Sequence, residues 1–184
     1  GQHDVIVWEA NFIPDVRAFD KMTGHQERGA GGTTVFFRQG GLVALHAHQS
    51  EFPIETYKKA HAHPPGRSII LVTGKGYSLV WQPGHEKEKQ RVDWHPGSVF
   101  GVGLSELQGE IWYHQHFNTG REPARYLVLH ANPSLPNKHE QIEYPDEDQE
   151  TRKLFESELA KSGVKSKMPP ECYTNRNYRW KTAV

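Results

Sequence analysis

The chain of 184 residues has a mass of 21.0 kDa, enough for one well-buried core but short for two, so we expect one domain with appended ends. Lys and Arg together number 22, and Asp and Glu together also number 22. The chain therefore has no excess of positive charge that would favour binding to nucleic acid or to an anionic membrane surface. The single cysteine, Cys172, excludes an internal disulfide framework, and no apolar run reaches the roughly 20 residues of a membrane span. We therefore expect a cytoplasmic protein with no nucleic-acid or membrane partner.

The first 133 residues divide into an arm and a series of strands. Residues 1–33 are mixed in composition and lead into "GAGGTT", which predicts an N-terminal arm and a flexible turn. Residues 34–133 contain short runs rich in Val, Ile, Leu and aromatic residues, separated by clusters of Gly, Pro and Asn. The runs are "TVFFR", "LVALHAH", "SIILVT", "YSLVWQ", "SVFGVG", "EIWYHQHF" and "ARYLVLH". Short strands at this spacing predict an all-β antiparallel sandwich or barrel.

The composition changes again after Pro133, and residues 134–184 are predicted to form a C-terminal extension with one helix from about 148 to 161. Asp146 or Asp148 can cap its start, and Gly163 can end it. An apolar stripe on the helix is formed by Leu154, Phe155, Leu159 and Ala160. The remaining tail has no regular period, and it packs either on the domain or on a neighbouring molecule.

Twelve histidines are present, and six of them occur in three H-x-H pairs. Successive side chains of a strand point to opposite faces, so His61 and His63 share a face at about 6.5 to 7 Å along the backbone. The same alternation places His114 and His116 on one face of "EIWYHQHFN". A third imidazole facing the first pair would complete three protein ligands with open positions, which is the arrangement that metal catalysis needs.

Two segments resemble the motifs of the cupin family. The segment 61–76, an H-x-H pair followed by a turn, an apolar strand and G-x-G, is similar to the first cupin motif, and "HQHFNTGREPARYLVLH" is similar to the end of the second. The resemblance covers about residues 34–132 and implies a cupin double-stranded β-helix, or jelly-roll, barrel. It also implies that His61, His63 and His114 bind one divalent metal ion.

The sequence departs from the cupin pattern at the position of the acidic ligand, which falls on Arg67. The Pro-x-Gly that normally precedes the last His is also missing. Three neutral imidazoles leave a divalent ion with its full charge, so such a site favours an enolate, a phenolate or a carboxylate. Cupins with three His and no acid include iron dioxygenases, and the resemblance therefore implies that Fe(II) and O2 are possible, with Zn, Mn or Ni as alternatives.

Five further residues are predicted to act on a small-molecule substrate. Tyr57, His48 and His116 are candidate general acids or bases, a role that requires hydrogen-bond reach of the substrate. His116 is equally well explained as an extra ligand or as a residue behind the metal ligands. Arg67 is a candidate bidentate clamp for a carboxylate, with a solvated turn residue as the alternative. Trp112 shares the face of His114 and is predicted to contact substrate.

Other histidines offer one rival site and no further pattern. The pair His46 and His48 is also an H-x-H, with Glu51 following, and could bind a metal instead. No turn and no G-x-G follow it, so His48 is instead predicted to lie inside the barrel near the metal. Six histidines have no partner pattern and are interpreted as ordinary: His3, His25, His85, His95, His130 and His139.

The sequence thus predicts a metal-dependent cupin enzyme acting on a small anionic substrate, with oxidative cleavage by Fe(II) and O2 first among reactions. One alternative is a non-oxidative lyase, isomerase or decarboxylase. Another is a cupin that binds a small molecule without turnover. Exposed strand edges and glycine-rich turns favour a homodimer, with residues 1–34 or 170–184 crossing to the partner.

Overall fold

The computed structural model describes residues 5–40, 45–63, 66–102, 111–131 and 139–182. Within these ranges the chain forms twelve β-strands and one α-helix, α1 (Gln149–Ala160). The strands are β1 (Ile6–Glu9), β2 (Thr23–Gly24), β3 (Thr33–Arg38), β4 (Leu45–Phe52), β5 (Ala60–Ala62), β6 (Arg67–Thr73), β7 (Gly76–Trp81), β8 (Gln90–Trp94), β9 (Val99–Val102), β10 (Tyr113–Asn118), β11 (Ala124–Ala131) and β12 (Glu140–Ile142). The prediction of an all-β fold with a C-terminal helix is confirmed.

The strands form two sheets. The larger has seven strands in the order β1-β3-β4-β11-β6-β9, with β2 also paired to β3, and the smaller has five in the order β12-β5-β10-β7-β8. The described pairings are antiparallel apart from that of β1 with β3. Neighbours in each sheet are mostly distant in sequence, which is the crossing-over connectivity of a jelly roll.

Two apolar clusters lie on opposite faces of the smaller sheet. The inner cluster joins the two sheets, since Ile69, Leu71 and Val128 of the larger sheet pack with Val80 and Trp94 of the smaller. The outer cluster joins the smaller sheet to the C-terminal extension. Its members include Tyr57, Tyr77, Phe117, Phe155, Leu159, Met168 and Trp180. Both faces of the smaller sheet are therefore covered.

The first 33 residues contribute more than the arm expected from composition. β1 and β2 both belong to the larger sheet through their pairing with β3. Phe19 packs edge-on between Trp8 and Phe37, at ring-centroid distances of 5.4 and 5.1 Å. The mixed composition of this segment concealed two short strands that pair with β3.

The predicted strands of residues 34–133 agree with β3, β4, β6, β7, β9, β10 and β11, with ends that differ by a few residues. The prediction missed β8 and β12, which lie at the two edges of the smaller sheet. Both are short, and β8 has charged residues at Arg91 and Asp93 that hide its strand pattern. Several predicted features include residues outside the described ranges. These are residues 42–44 of one predicted strand, residue 110 of another, the predicted turn at 64–65, the predicted domain boundary at 133, and His3.

Helix α1 begins and ends close to the predicted positions. Asp148 is the N-cap, and its carboxylate accepts a hydrogen bond of 2.9 Å from the backbone N–H of Glu150. The buried face consists of Thr151, Phe155 and Leu159, spaced four residues apart. Ala160, which we predicted to belong to the apolar stripe, is exposed. In the described part of the chain, no helix has the length and apolarity needed to cross a membrane.

Candidate metal centre

Three imidazoles converge where β5 meets β10. His61 of β5 lies directly opposite His114 of β10 in the antiparallel register, and His63 follows just after β5 ends. The ring centroids of His61 and His114 are 4.1 Å apart, and that of His63 lies 5.3 Å from the first and 5.1 Å from the second. One ligand atom from each residue lies within 4.8 Å of the others. The structure thus brings together the three histidines that the sequence nominates.

The hydrogen bonds of these rings leave nitrogen lone pairs available. The Nδ1 atoms of His61 and His114 lie 3.4 and 3.3 Å from the backbone carbonyls of Lys59 and Trp112. A carbonyl only accepts, so Nδ1 of each ring carries the proton and Nε2 has the free lone pair. His63 Nδ1 is buried, without a hydrogen-bond partner among the described residues. An atom of this kind is suited to ligating an ion.

Burial keeps the three rings neutral. It lowers the pKa of His61 and His114 well below the ordinary value and that of His63 to about 2, with neighbouring histidines adding to the effect. Neutral imidazoles are ligands for Fe, Zn, Ni and Cu ions. The donor set therefore fits one divalent transition metal, bound by nitrogen alone.

The three histidines face a cavity of about 190 Å³ between the two sheets. This volume lies below the 300 to 1,000 Å³ that is typical of sites for drug-sized ligands, so the cavity suits a small organic molecule. Eight of the twelve histidines line it: His25, His48, His61, His63, His114, His116, His130 and His139.

The cavity is positively charged. Arg28, Lys58 and Arg67 line it, and none of the described lining residues is Asp or Glu. Arg28 donates to the side-chain oxygen of Gln141 at 2.7 Å, while the Lys58 ammonium donates to the hydroxyl of Tyr126 at 2.9 Å. Arg67, at the start of β6, also lines the cavity that the histidines face. Fixed cations without a carboxylate nearby favour an anionic ligand.

Comparison with known proteins identifies the fold of the chain through solved structures alone. No protein-family model matches the sequence, and no curated protein is significantly similar to it. Among solved structures, a cupin-2 domain from Rhodospirillum rubrum aligns with 76% of this chain and 89% of its own, at 14% identity and a TM-score of 0.52. A cupin 2 conserved barrel domain protein from Rhodopseudomonas palustris aligns with 85% of this chain and 98% of its own, at 16% identity and a TM-score of 0.52. The chain therefore has the fold of a cupin barrel.

The same barrel occurs in proteins of different kinds. The coconut allergen cocosin aligns with 79% of this chain and 46% of its own, at 12% identity and a TM-score of 0.50. At such identities the likeness concerns the fold alone. The activity of this chain must therefore be argued from its cavity.

His116 and His48 both line the cupin cavity, on opposite sheets. His116 Nδ1 lies 2.7 Å from the hydroxyl of Ser78, which accepts a hydrogen bond of 2.9 Å from the indole N–H of Trp94. Burial, followed by the charge of Lys58, lowers the pKa of His116 to about 3. Burial, followed by the neighbouring His130, lowers the pKa of His48 well below its ordinary value. Both rings are therefore neutral, so each has one nitrogen that donates a hydrogen bond and one that accepts.

Two predicted site residues lie elsewhere in the cupin. Tyr57 faces the outer cluster, where its hydroxyl donates to Glu147 and its ring stacks on Phe117 at 4.9 Å. Burial raises the pKa of this hydroxyl above its ordinary value. The prediction that Tyr57 is a general acid or base is therefore corrected. Trp112 packs against the inner cluster and is not among the described cavity-lining residues, so its predicted substrate contact has no support.

The rival pair His46 and His48 joins a different group. His46 lies opposite His130 across β4 and β11, and the rings of His48 and His130 are 5.4 Å apart. Phe36 packs against His48 at 5.1 Å. Among the described residues, this group does not bring three ligand atoms as close as the triad does. Phe36, His48 and His130 line the wall of the cavity that faces the triad, whereas His46 does not line it.

Sequence reasoning missed several residues of the cavity. His25, His130 and His139 line it, although we interpreted them as ordinary. Arg28 and Lys58 were not singled out at all. Strand alternation counted back from His61 would place Lys59 inward, whereas the structure places Lys58 there, so no local signal identifies it.

Proposed function

We propose that this cupin is a metal-dependent enzyme that acts on a small anionic organic substrate. The observation that carries the proposal is the convergence of His61, His63 and His114 on a cavity lined by three cations and, in its described part, by no carboxylate. The triad supports a metal site of three neutral ligands, and the cations support binding of an anion.

The residues of this chain have separate roles in the proposal. Arg67 and Arg28 attract the anionic group and orient it toward the triad. His116, on the same face of β10 as His114, and His48, on the opposite wall, accept or return a proton of the substrate. A divalent ion held by the triad would supply a positive charge that stabilises an enolate or phenolate and, if it is iron, the redox chemistry that activates O2.

Oxidative cleavage with Fe(II) and O2 is the specific reaction we propose, because three neutral imidazoles leave the ion its full charge for an anionic substrate. Zn, Mn or Ni in the same site would support a non-oxidative reaction. The single cysteine, Cys172, is buried and free, which supports a cytoplasmic location. A homodimer completes the proposal.

The first experiment measures bound metal by elemental mass spectrometry on untagged protein reconstituted with Fe(II) without air. We expect close to one ion per chain in the wild type. His61→Ala, His63→Ala and His114→Ala should each lose most of it, since each removes one of three protein ligands. The matched control is His95→Ala, which removes an exposed histidine outside the cavity.

Metal that persists in the three variants but disappears in His48→Ala would place the site on the opposite wall and contradict the assignment. Metal in none of the samples would contradict the enzymatic proposal as a whole. With iron bound, O2 uptake on adding hydroxybenzoates or β-keto acids tests the oxidative reaction. Product formation without O2 would instead establish the non-oxidative alternative.

A further inference from the structure

Lys58 is a buried lysine to which the proposed reaction assigns no separate role. The residue is 2% exposed, and its ammonium lies on the cavity wall. It sits 5.4 Å from the ring centroid of Tyr126 and 5.9 Å from that of Phe52. Burial of a charge without an opposite charge is unfavourable, so such a group calls for a partner.

The described residues offer Lys58 one polar partner. Its ammonium donates to the Tyr126 hydroxyl at 2.9 Å, and no described carboxylate lies within ion-pair distance. The adjacent Lys59 differs, because it pairs with Glu143 at 2.6 Å. An ammonium has three N–H donors. Lys58 therefore keeps donor capacity for a group inside the cavity.

The backbone holds Lys58 in this position. Its N–H donates to the carbonyl of His116 at 2.9 Å, and its carbonyl accepts from the side-chain N–H of Gln115 at 3.0 Å. Both partners belong to β10, the strand that also carries His114. The backbone of Lys58 is thus fixed to the strand that carries one member of the triad, and the Tyr126 hydroxyl holds its ammonium.

His116 separates Lys58 from the triad along the cavity wall. The ring centroids of His114 and His116 are 5.5 Å apart, and those of His116 and Tyr126 are 5.2 Å apart. The ammonium lies beyond, at the Tyr126 hydroxyl. Besides Arg28 and Arg67, which also line the cavity, positive charge is therefore available at the triad with its ion and at the Lys58 ammonium.

We propose that Lys58, with the Tyr126 hydroxyl, binds a second anionic group, and that the substrate is a small compound with two anionic groups. One group, a carboxylate, enolate or phenolate, faces the triad, and this part rests on the proposed function. The other, a carboxylate, receives hydrogen bonds from the Lys58 ammonium and the Tyr126 hydroxyl. The Lys58 ammonium is positive, the Tyr126 hydroxyl is neutral, and the hydrogen bond between them already holds both in place. Binding of the second anionic group therefore has a small entropic cost.

The test compares dicarboxylates with monocarboxylates of the same carbon number on the Co(II)-loaded protein. Malonate, succinate and glutarate are titrated calorimetrically against propionate, butyrate and valerate. We expect at least one dicarboxylate to bind about tenfold more tightly than its counterpart, as one charged hydrogen bond would produce. Lys58→Met, which keeps the length of the apolar stem, should bring that ratio close to one without changing the cobalt content.

Two controls accompany the test. Lys59→Met removes the neighbouring cation outside the cavity and should leave the ratio unchanged. Tyr126→Phe removes only the hydroxyl and should lower the ratio in part, and it replaces Lys58→Met if that variant fails to fold. A ratio near one in the wild type, or a ratio that survives both cavity variants, would overturn the proposal.

If the three histidines do not bind metal, the wild type will take up no cobalt. This result is distinct from failure of the Lys58 proposal. In that case the metal-free protein tests Lys58 directly with butyrate. Binding that disappears in Lys58→Met would support the anion site independently of the metal. Absence of binding, or binding that is equal in the two proteins, would refute it.

Discussion

Glu147 is a carboxylate enclosed between the outer face of the smaller sheet and the C-terminal extension. Its oxygens accept hydrogen bonds from the Tyr57 hydroxyl and from the side-chain N–H of Gln115, the latter at 3.1 Å. Burial raises its pKa to about 7, although these two hydrogen bonds act in the opposite direction. The group therefore titrates in the folded protein near neutral pH.

The pH dependence of stability follows from this shift. The pKa of Glu147 in the folded protein lies above its ordinary value of 4.5, so between these values the folded state binds a proton that the unfolded state does not. The contribution of Glu147 to stability is complete below about pH 4.5 and is lost as pH rises through about 7. Glu147→Gln should therefore gain on the order of 2 kcal/mol relative to wild type between about pH 5 and 8.

Urea unfolding of both proteins across this pH range measures the difference. Because other groups titrate equally in the two proteins, the difference isolates Glu147. Glu156→Gln, on the exposed side of α1, is the matched control for removal of a carboxylate. A difference for Glu147→Gln that does not change with pH would show that this carboxylate is not buried as described.

At the scale of elements, β10 connects the cavity to the outer cluster. All six of its residues are buried, with His114 and His116 toward the cavity and Tyr113 and Phe117 toward the extension. The strand is central in the smaller sheet, between β5 and β7. Its position therefore depends on close packing with its neighbours.

Gly76 is where β7 approaches β10 most tightly. A Cβ at this position would overlap the carbonyl of Phe117 and would lie 2.8 Å from the ring of Trp94. Gly76→Ala should therefore destabilise the protein by about 3 kcal/mol, because the obstacle on one side is backbone. Thermal unfolding measures the loss. Gly84→Ala is the control, since a Cβ there meets nothing within 4 Å and only the positive φ of 83° is strained; we expect a loss of about 1 kcal/mol.

At the scale of the whole molecule, the C-terminal extension is part of the core. Phe155 and Leu159 of α1 are fully buried against the smaller sheet, and Phe155 packs edge-on to Tyr57 at 4.9 Å. Further along, the backbone of Trp180 exchanges two hydrogen bonds of 2.8 Å with the side chain of Gln26. The tail thus packs back on its own domain along its described length.

Phe155→Ala should cost about 3 to 5 kcal/mol of stability, because it opens a cavity in the outer cluster. Chemical unfolding measures the loss, and Leu154→Ala provides the control at an adjacent, partly buried position on the same helix. We expect the control to lose less than half as much. Equal losses of stability in the two variants would contradict the conclusion that burial of Phe155 in the outer cluster stabilises the protein.

The sequence alone predicted the all-β barrel and, through the resemblance to the cupin motifs, the three histidines that converge in the structure. Strand alternation sets the shared face of His61 and His63, and the turns between short apolar runs set an antiparallel all-β fold. Tertiary structure decided which residues surround the ligands. Tyr57 bridges to Phe117 across the sheet, a pairing between residues far apart in the chain, and it turns Tyr57 outward and Lys58 into the cavity. The alternation of residues in the sequence does not show that Lys58, and not Lys59, faces the cavity. It also does not show that the C-terminal extension covers the outer face of the smaller sheet. Both features depend on contacts between distant segments.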